Sequence, residues 1–196
     1  MEIVLFSKSP RRQELLKLMG YSFRVQTKDV DESFPASLAP QEVAEYIAKN
    51  KAQAFDDELK PHELLITADT VVAIGSEILG KPSDAADAYR MLKTLSGTTH
   101  QVYTGVCLLH QHQLISFTDT TDVEIKDLSD EEINYYIEHY KPYDKAGAYG
   151  IQEWFGLIAV KSIKGSYTNV MGLPTEKLYA QLRHPDSFRD ANSPIR

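Results

Sequence analysis

Residues 3–6 (Ile3, Val4, Leu5, Phe6) are an uninterrupted apolar run that predicts a buried strand. The run gives way to Ser-Lys-Ser-Pro and then to an amphipathic helical pattern over 12–19, closed by Gly20. Residues 21–26 alternate as a half-buried strand does, and 40–55 place Val43, Ile47, Ala48 and Ala54 near one helical face. The most apolar stretch, 64–74, carries one charge, Asp69, at its centre. A turn at 75–77 leads to a helix over 83–95. Residues 98–109 and 114–126 then predict two long strands joined by a polar turn, and the alternation over 118–125 suits an antiparallel partner with one wet face. Ser129 and Glu132 form a capping box for a helix over 131–139. A strand over 157–163, a polar loop over 165–172 and a last helix from Pro174 to Leu182 complete the pattern. With no repeat or linker, this predicts one α/β domain over 1–183: a mixed, elongated, twisted sheet flanked by helices, with an antiparallel extension. Residues 184–196 are polar and read as a flexible tail.

Composition narrows the function classes. A net charge of −7 argues against general affinity for long nucleic acid, which needs a basic face. No segment has the apolar length of a membrane span, and Met1 leads straight into a strand, which argues against a secretory signal. The single cysteine, Cys107, excludes an internal disulfide framework, fits a reducing compartment such as the cytoplasm, and lies in an apolar run as a buried thiol would.

Candidate chemistry gathers at a few places. Ser9 stands at an N-cap with Pro10 at the first helical position, so the helix start presents free N–H groups beside Ser7, Lys8, Arg11 and Arg12. This is either an anion site suited to phosphates or an ordinary capped helix with solvated basic residues. Asp29, Asp31 and Glu32 follow a strand end, as solvated charges or as hard-cation ligands. Asp69 is expensive in an apolar run unless it meets a cation, a metal or a bend. It reads as a metal ligand or general base at the end of a central strand, or as the cap of a bend dividing two short strands. Lys51 sits one residue past the Ala48 row, a surface lysine by default that could reach inward. Lys81, held between Gly80 and Pro82, is a candidate phosphate or carboxylate partner. His100, His110 and His112 lack metal-ligand spacing and read as surface residues. In 143–152, glycines and alanines allow close backbone approach to something flat or bulky, with Gln152 able to pair an amide; Asp144 and Lys145 pair locally or join the same site.

Taken in order, Leu5-Phe-Ser-Lys-Ser-Pro-Arg-Arg-Gln-Glu-Leu-Leu16, Val30-Asp-Glu32, Thr67-Ala-Asp-Thr-Val-Val72, Gly80-Lys-Pro82, Tyr143-Asp-Lys-Ala-Gly-Ala-Tyr-Gly-Ile-Gln152 and Gly165-Ser-Tyr-Thr-Asn-Val-Met-Gly-Leu-Pro174 resemble the Maf family of nucleoside triphosphate pyrophosphatases. The resemblance implies a Maf/ITPase-like fold and a house-cleaning hydrolase in nucleotide metabolism. Such an enzyme cleaves the α–β bond of a nucleoside triphosphate to monophosphate and pyrophosphate with a divalent metal (Mg, Mn or Co).

By the same resemblance, Ser7, Arg11 and Arg12 bind phosphates, Glu32 and Asp69 are acidic metal and catalytic positions with Asp69 activating water, and Lys51 and Lys81 are catalytic lysines. Gln152, Thr70 and 146–152 read the base, in the form of the branch acting on dTTP and UTP or modified pyrimidine nucleotides. Lys8 is not carried over. The pattern departs at Glu153-Trp-Phe155, where many members carry small residues; Trp154 either lines the base pocket or fills a core. The family resemblance also implies a homodimer, and as an alternative a nucleotide-binding regulator of septum formation and cell division.

Overall fold

A computed structural model describes residues 1–183; the expected tail, 184–196, lies outside the described residues. The chain builds one seven-stranded sheet in the order β2-β1-β3-β5-β6-β7, with β4 on the β1 side of β3. The strands are β1 (Glu2–Phe6), β2 (Phe23–Gln26), β3 (Glu63–Ile74), β4 (Glu77–Leu79), β5 (Thr99–His110), β6 (Gln113–Ile125) and β7 (Val160–Lys164). Strand β1 lies parallel between β2 and β3, which is why its side chains read as a continuous apolar run. From β3 through β7 the neighbours are antiparallel, giving the expected extension. The β5–β6 turn has two residues, Gln111 and His112, both with positive φ, as the twist of a tight hairpin demands.

Alternation along the strands divides the core. Ile3, Leu5, Leu64 and Ile66 point to one face, where α1 (Pro10–Leu18) buries Leu15 and Leu16 and α7 (Thr175–Arg183) buries Leu178. Val4, Phe6 and Leu65 point to the other, against Ala48 and Ala52 of α2 (Pro40–Gln53). Helix α2 crosses β5 at Gly105, where a Cβ would stand 2.3 Å from the Glu45 nitrogen. A third cluster joins α3 (Ala85–Leu95), α4 (Asp130–Tyr140) and residues 148–159. Cys107 is buried as expected, and desolvation pushes its thiol up to about 12. Among the described residues no helix is long and apolar enough to cross a membrane.

Four expectations are corrected. Strand β3 does not break at Asp69-Thr70, because β5 pairs with it without interruption from Leu65 to Ala73. Asp69 therefore sits within a strand rather than at its end. The expected strand over 157–163 forms from Val160 onward as β7, but 157–159 are the end of a helix, α5 (Trp154–Ala159); a short apolar run does not separate the two. The polar loop over 165–172 holds one helical turn, α6 (Tyr167–Val170), capped by Ser166. His100 and His110 are buried on β5, with His100 Nε2 bonded to the Tyr149 hydroxyl at 2.8 Å and His110 Nδ1 to the Glu63 carbonyl at 2.7 Å; only His112 is at the surface.

His100 generates a pH prediction. Desolvation, only partly opposed by the Asp122 charge, lowers its pKa to about 4. Below pH 6.5 the unfolded chain takes up a proton that the folded chain refuses until about pH 4, so stability falls as pH falls through that window. Between about pH 7 and pH 5 the loss is about 2 kcal/mol. Urea unfolding at the two pH values should show that loss in the wild type and its absence in His100→Gln; equal losses in both would place the effect elsewhere.

Candidate active site

A cleft of about 740 Å³ opens where β1 ends. Strand β1 pairs β3 only as far as Thr67, and β4 resumes the pairing at Val72. Residues 68–71 thus have no strand partner on that side among the described residues. Alternation sends Asp69 toward the α2 face and Thr70 toward the α1 face, and the missing strand exposes both to the same opening.

The wall built by the start of α1 follows from the local sequence. Buried Ser7 accepts the Ser9 N–H through Oγ at 3.1 Å, and Ser9 Oγ accepts the Arg12 N–H at 3.5 Å, capping α1. Arg11 reaches Asp144 at 3.5 Å. Arg12 braces the site: Nε donates to the Gly172 carbonyl at 2.8 Å, Nη1 to the Ala68 carbonyl at 2.9 Å and Nη2 to Thr70 Oγ1 at 3.0 Å. Three of its five N–H groups are therefore held by the protein, leaving two for a ligand. Thr104 Oγ1 donates to the Asn169 carbonyl at 3.0 Å, so the hydrogen in the 3.0 Å Thr70–Thr104 contact belongs to Thr70. Thr70 consequently offers a ligand only an acceptor lone pair.

The chemical centre is a lysine between two carboxylates. Lys51 is buried on α2, and its Nζ lies 2.7 Å from both Glu32 Oε1 and Asp69 Oδ1. Lys81 approaches Glu32 Oε2 at 3.9 Å from its Gly-Pro setting. Burial works to raise the Glu32 pKa, but the hydrogen bond and charge of Lys51, with Lys81 and Arg12 behind it, hold it below the ordinary value. Seven lining side chains are cationic and five anionic, so the cleft is locally positive in a protein of net charge −7. Glu32 and Asp69 each keep a second oxygen beyond Lys51. Two carboxylates opening on a cleft lined by cationic side chains are a donor set of the kind through which Mg²⁺-like ions are held together with phosphates. Among the described residues the one tighter acidic grouping, Glu2 with His62 and Glu63, lies at the opposite end of β1 and β3, outside the cleft.

All nine residues singled out from the sequence (Ser7, Arg11, Arg12, Glu32, Lys51, Asp69, Thr70, Lys81 and Gln152) line this one cleft. Lys8, which is not carried over, also borders the cleft; it is exposed and paired with Asp29 at 2.8 Å. Lys51 is not the surface lysine its position suggests by default. Asp144 and Lys145 pair at 2.7 Å and also line the cleft, so both readings of that pair hold. Thr104 and Asn169 were not anticipated; a threonine in a strand and an asparagine in a loop give no local sign of a shared buried bond. Trp154 does not line the cleft. Its ring packs 4.9 Å from that of Tyr135 and 6.4 Å from that of Tyr136, so it belongs to a core.

Comparison with known proteins agrees with this arrangement. The sequence matches the family described as "Maf-like protein" over residues 2–185. It is 54% identical, over 93% of this chain and 95% of the relative, to a protein of Bacteroides thetaiotaomicron named dTTP/UTP pyrophosphatase. It is 52% identical, over 92% and 93%, to one of the same name from Flavobacterium johnsoniae. The fold resembles that of the Staphylococcus aureus Ham1 protein with a TM-score of 0.51 over 92% of this chain and all of the other, at 18% identity, a likeness of fold alone. With the family pattern spanning 2–185 and relatives half identical over nearly their whole lengths, the chain belongs to the Maf-like protein family.

Proposed function

We propose that this protein is a cytoplasmic nucleoside triphosphate pyrophosphatase that hydrolyses dTTP and UTP to the monophosphate and pyrophosphate. The observation that carries the reading is Lys51 held 2.7 Å from both Glu32 and Asp69 inside a cationic cleft. A site that only bound a polyanion would gain nothing from two carboxylates facing it. The relatives' names supply the substrate class.

Each side chain has a role that its position supports. The first turn of α1, Ser7, Arg11 and the two remaining N–H groups of Arg12 hold phosphate oxygens. Asp69 takes the proton of the attacking water through its outer oxygen, while Lys51 fixes the inner one. Water adds at phosphorus, the α–β bridging bond breaks, and the electron pair leaves with pyrophosphate, whose growing charge Lys51 and Lys81 offset. Glu32 and Asp69 would hold a divalent metal, which when bound supplies Lewis-acid polarisation of the phosphoryl oxygen and neutralises substrate charge. Gln152 and residues 146–152 form the wall for the base, and the acceptor-only Thr70 suits the imide N–H shared by thymine and uracil.

Asp69→Asn should lower kcat for UTP by about 10²- to 10⁴-fold while binding of a non-hydrolysable UTP analogue, followed calorimetrically, stays within about tenfold. Full turnover by this variant would remove Asp69 as base. Product analysis should find pyrophosphate and UMP in equal amounts; orthophosphate alone would sink the reaction assignment. Chelation should abolish hydrolysis and Mg²⁺, Mn²⁺ or Co²⁺ restore it, whereas undiminished turnover in chelator would take the metal out of the mechanism.

A further inference from the structure

Glu153 stands where the sequence leaves the family pattern, and it has no part in the reaction described above. Its side chain is nevertheless the centre of a connected set of contacts. Tyr136, fully buried on α4, donates its hydroxyl hydrogen to Glu153 Oε2, and the same hydroxyl oxygen accepts the Gly150 N–H at 2.9 Å. Glu153 Oε1 lies 3.2 Å from Nζ of Lys145, a buried lysine that also donates to Asp144 Oδ1 at 2.7 Å. The Glu153 backbone N–H donates to the Gly150 carbonyl at 3.1 Å. The carboxyl packs so closely on Gly150 that a Cβ there would stand 2.7 Å from its Cδ.

These contacts converge on one wall of the cleft. Gly150, Ile151 and Gln152 line it, and Glu153 and Tyr136 do not. The rest of the segment is pinned independently: Gly147 donates to the Gly80 carbonyl at 3.0 Å, next to Lys81, and Tyr149 is bonded to His100. Within this wall the carboxylate bears on Lys145 directly and on Gly150 directly and through Tyr136. Through Asp144 the same network continues to Arg11 on the phosphate side.

We propose that Glu153 is a positioning residue for base selection, which sets the Gly150 to Gln152 wall through Tyr136 and Lys145 without touching substrate. The proposal rests on the pyrimidine triphosphate reading and names what tunes it. Holding a half-buried carboxylate between a buried lysine and a buried tyrosine hydroxyl satisfies these groups together in the observed arrangement. The wall is therefore fixed before the nucleotide arrives, and the energy of base contact is not diverted into ordering it.

The test compares kcat and KM for UTP, dTTP, CTP and GTP in the wild type, Glu153→Ala, Glu153→Gln and Tyr136→Phe. Glu153→Ala should raise KM for UTP and dTTP roughly tenfold with kcat within about threefold, and narrow the UTP-to-CTP ratio of kcat/KM by a similar factor. Tyr136→Phe should move the ratio the same way. Glu153→Gln, which keeps an oxygen for Tyr136 and its bulk against Gly150, should recover most of it. An unchanged base ratio in these variants overturns the proposal, even where total activity falls uniformly. If thermal melting shows that Glu153→Ala does not fold, Tyr136→Phe decides by the same ratio.

A second readout needs no turnover. The chain's single tryptophan, Trp154, adjoins Glu153 and stacks 6.4 Å from Tyr136, so its fluorescence during titration with non-hydrolysable UTP and CTP analogues reads binding at this wall. The wild type should prefer the uridine analogue and Tyr136→Phe should lose that preference; retention overturns the proposal. A wild type that discriminates in binding but releases no pyrophosphate would sink the reaction assignment and leave the positioning role standing.

Discussion

The structure depends on a mismatch in strand length. Strand β1 stops at Phe6, while its neighbour β3 continues to Ile74 under the support of β5. Four residues of a central strand are left with an open edge, and backbone groups there must find partners other than a ladder. Arg12 takes the Ala68 carbonyl, and in doing so ties α1 to β3. A sheet that ended evenly would bury Asp69 with no route to solvent or substrate. The same gap allows a strand residue on each face to reach one cleft, which a complete sheet forbids.

Lys51 then solves the electrostatic problem that the gap creates. Two carboxylates in a cleft built for an anion would repel it and each other. With the lysine 2.7 Å from both, the trio carries one net negative charge, which Lys81 and the arginines outweigh. The positive field is thus confined to the cleft, and the rest of the surface remains acidic. That distribution admits a small polyanion and gives a long one no continuous surface to follow.

Sequence periodicity revealed the strands and most helices because each apolar stripe has a core to face. Asp69 was legible for the opposite reason: one charge in an apolar run needs a partner, and that need is visible before the partner is known. The partner itself was hidden. Lys51 lies on the buried stripe of α2, four residues after Ile47 and seven after Ala44, where a lysine reads as solvated until Glu32 and Asp69 are seen to meet it. His100 misled because spacing excludes a metal motif but says nothing of burial on a strand covered on both sides. The run 157–160 misled because four apolar residues satisfy a strand and a short helix equally; the helix that precedes β7 packs so closely at Gly156 that any Cβ there would strike the Ile151 carbonyl.

Arg12 shows why residue type matters beyond charge. Its three acceptors belong to β3 and to the segment after β7, and they are met by three N–H groups of one planar fork. A lysine carries the same charge but one nitrogen, so it could not span the Gly172 carbonyl, the Ala68 carbonyl and Thr70 together. Because Thr70 passes its own hydrogen to Thr104, and Thr104 passes its to Asn169, the brace also fixes the direction of every hydrogen from Arg12 to the buried loop. A group that holds the fold in this way presents its remaining N–H groups at fixed angles. Rigidity and phosphate geometry are here properties of the same guanidinium, and that is the form electrostatic preorganisation takes at this end of the cleft.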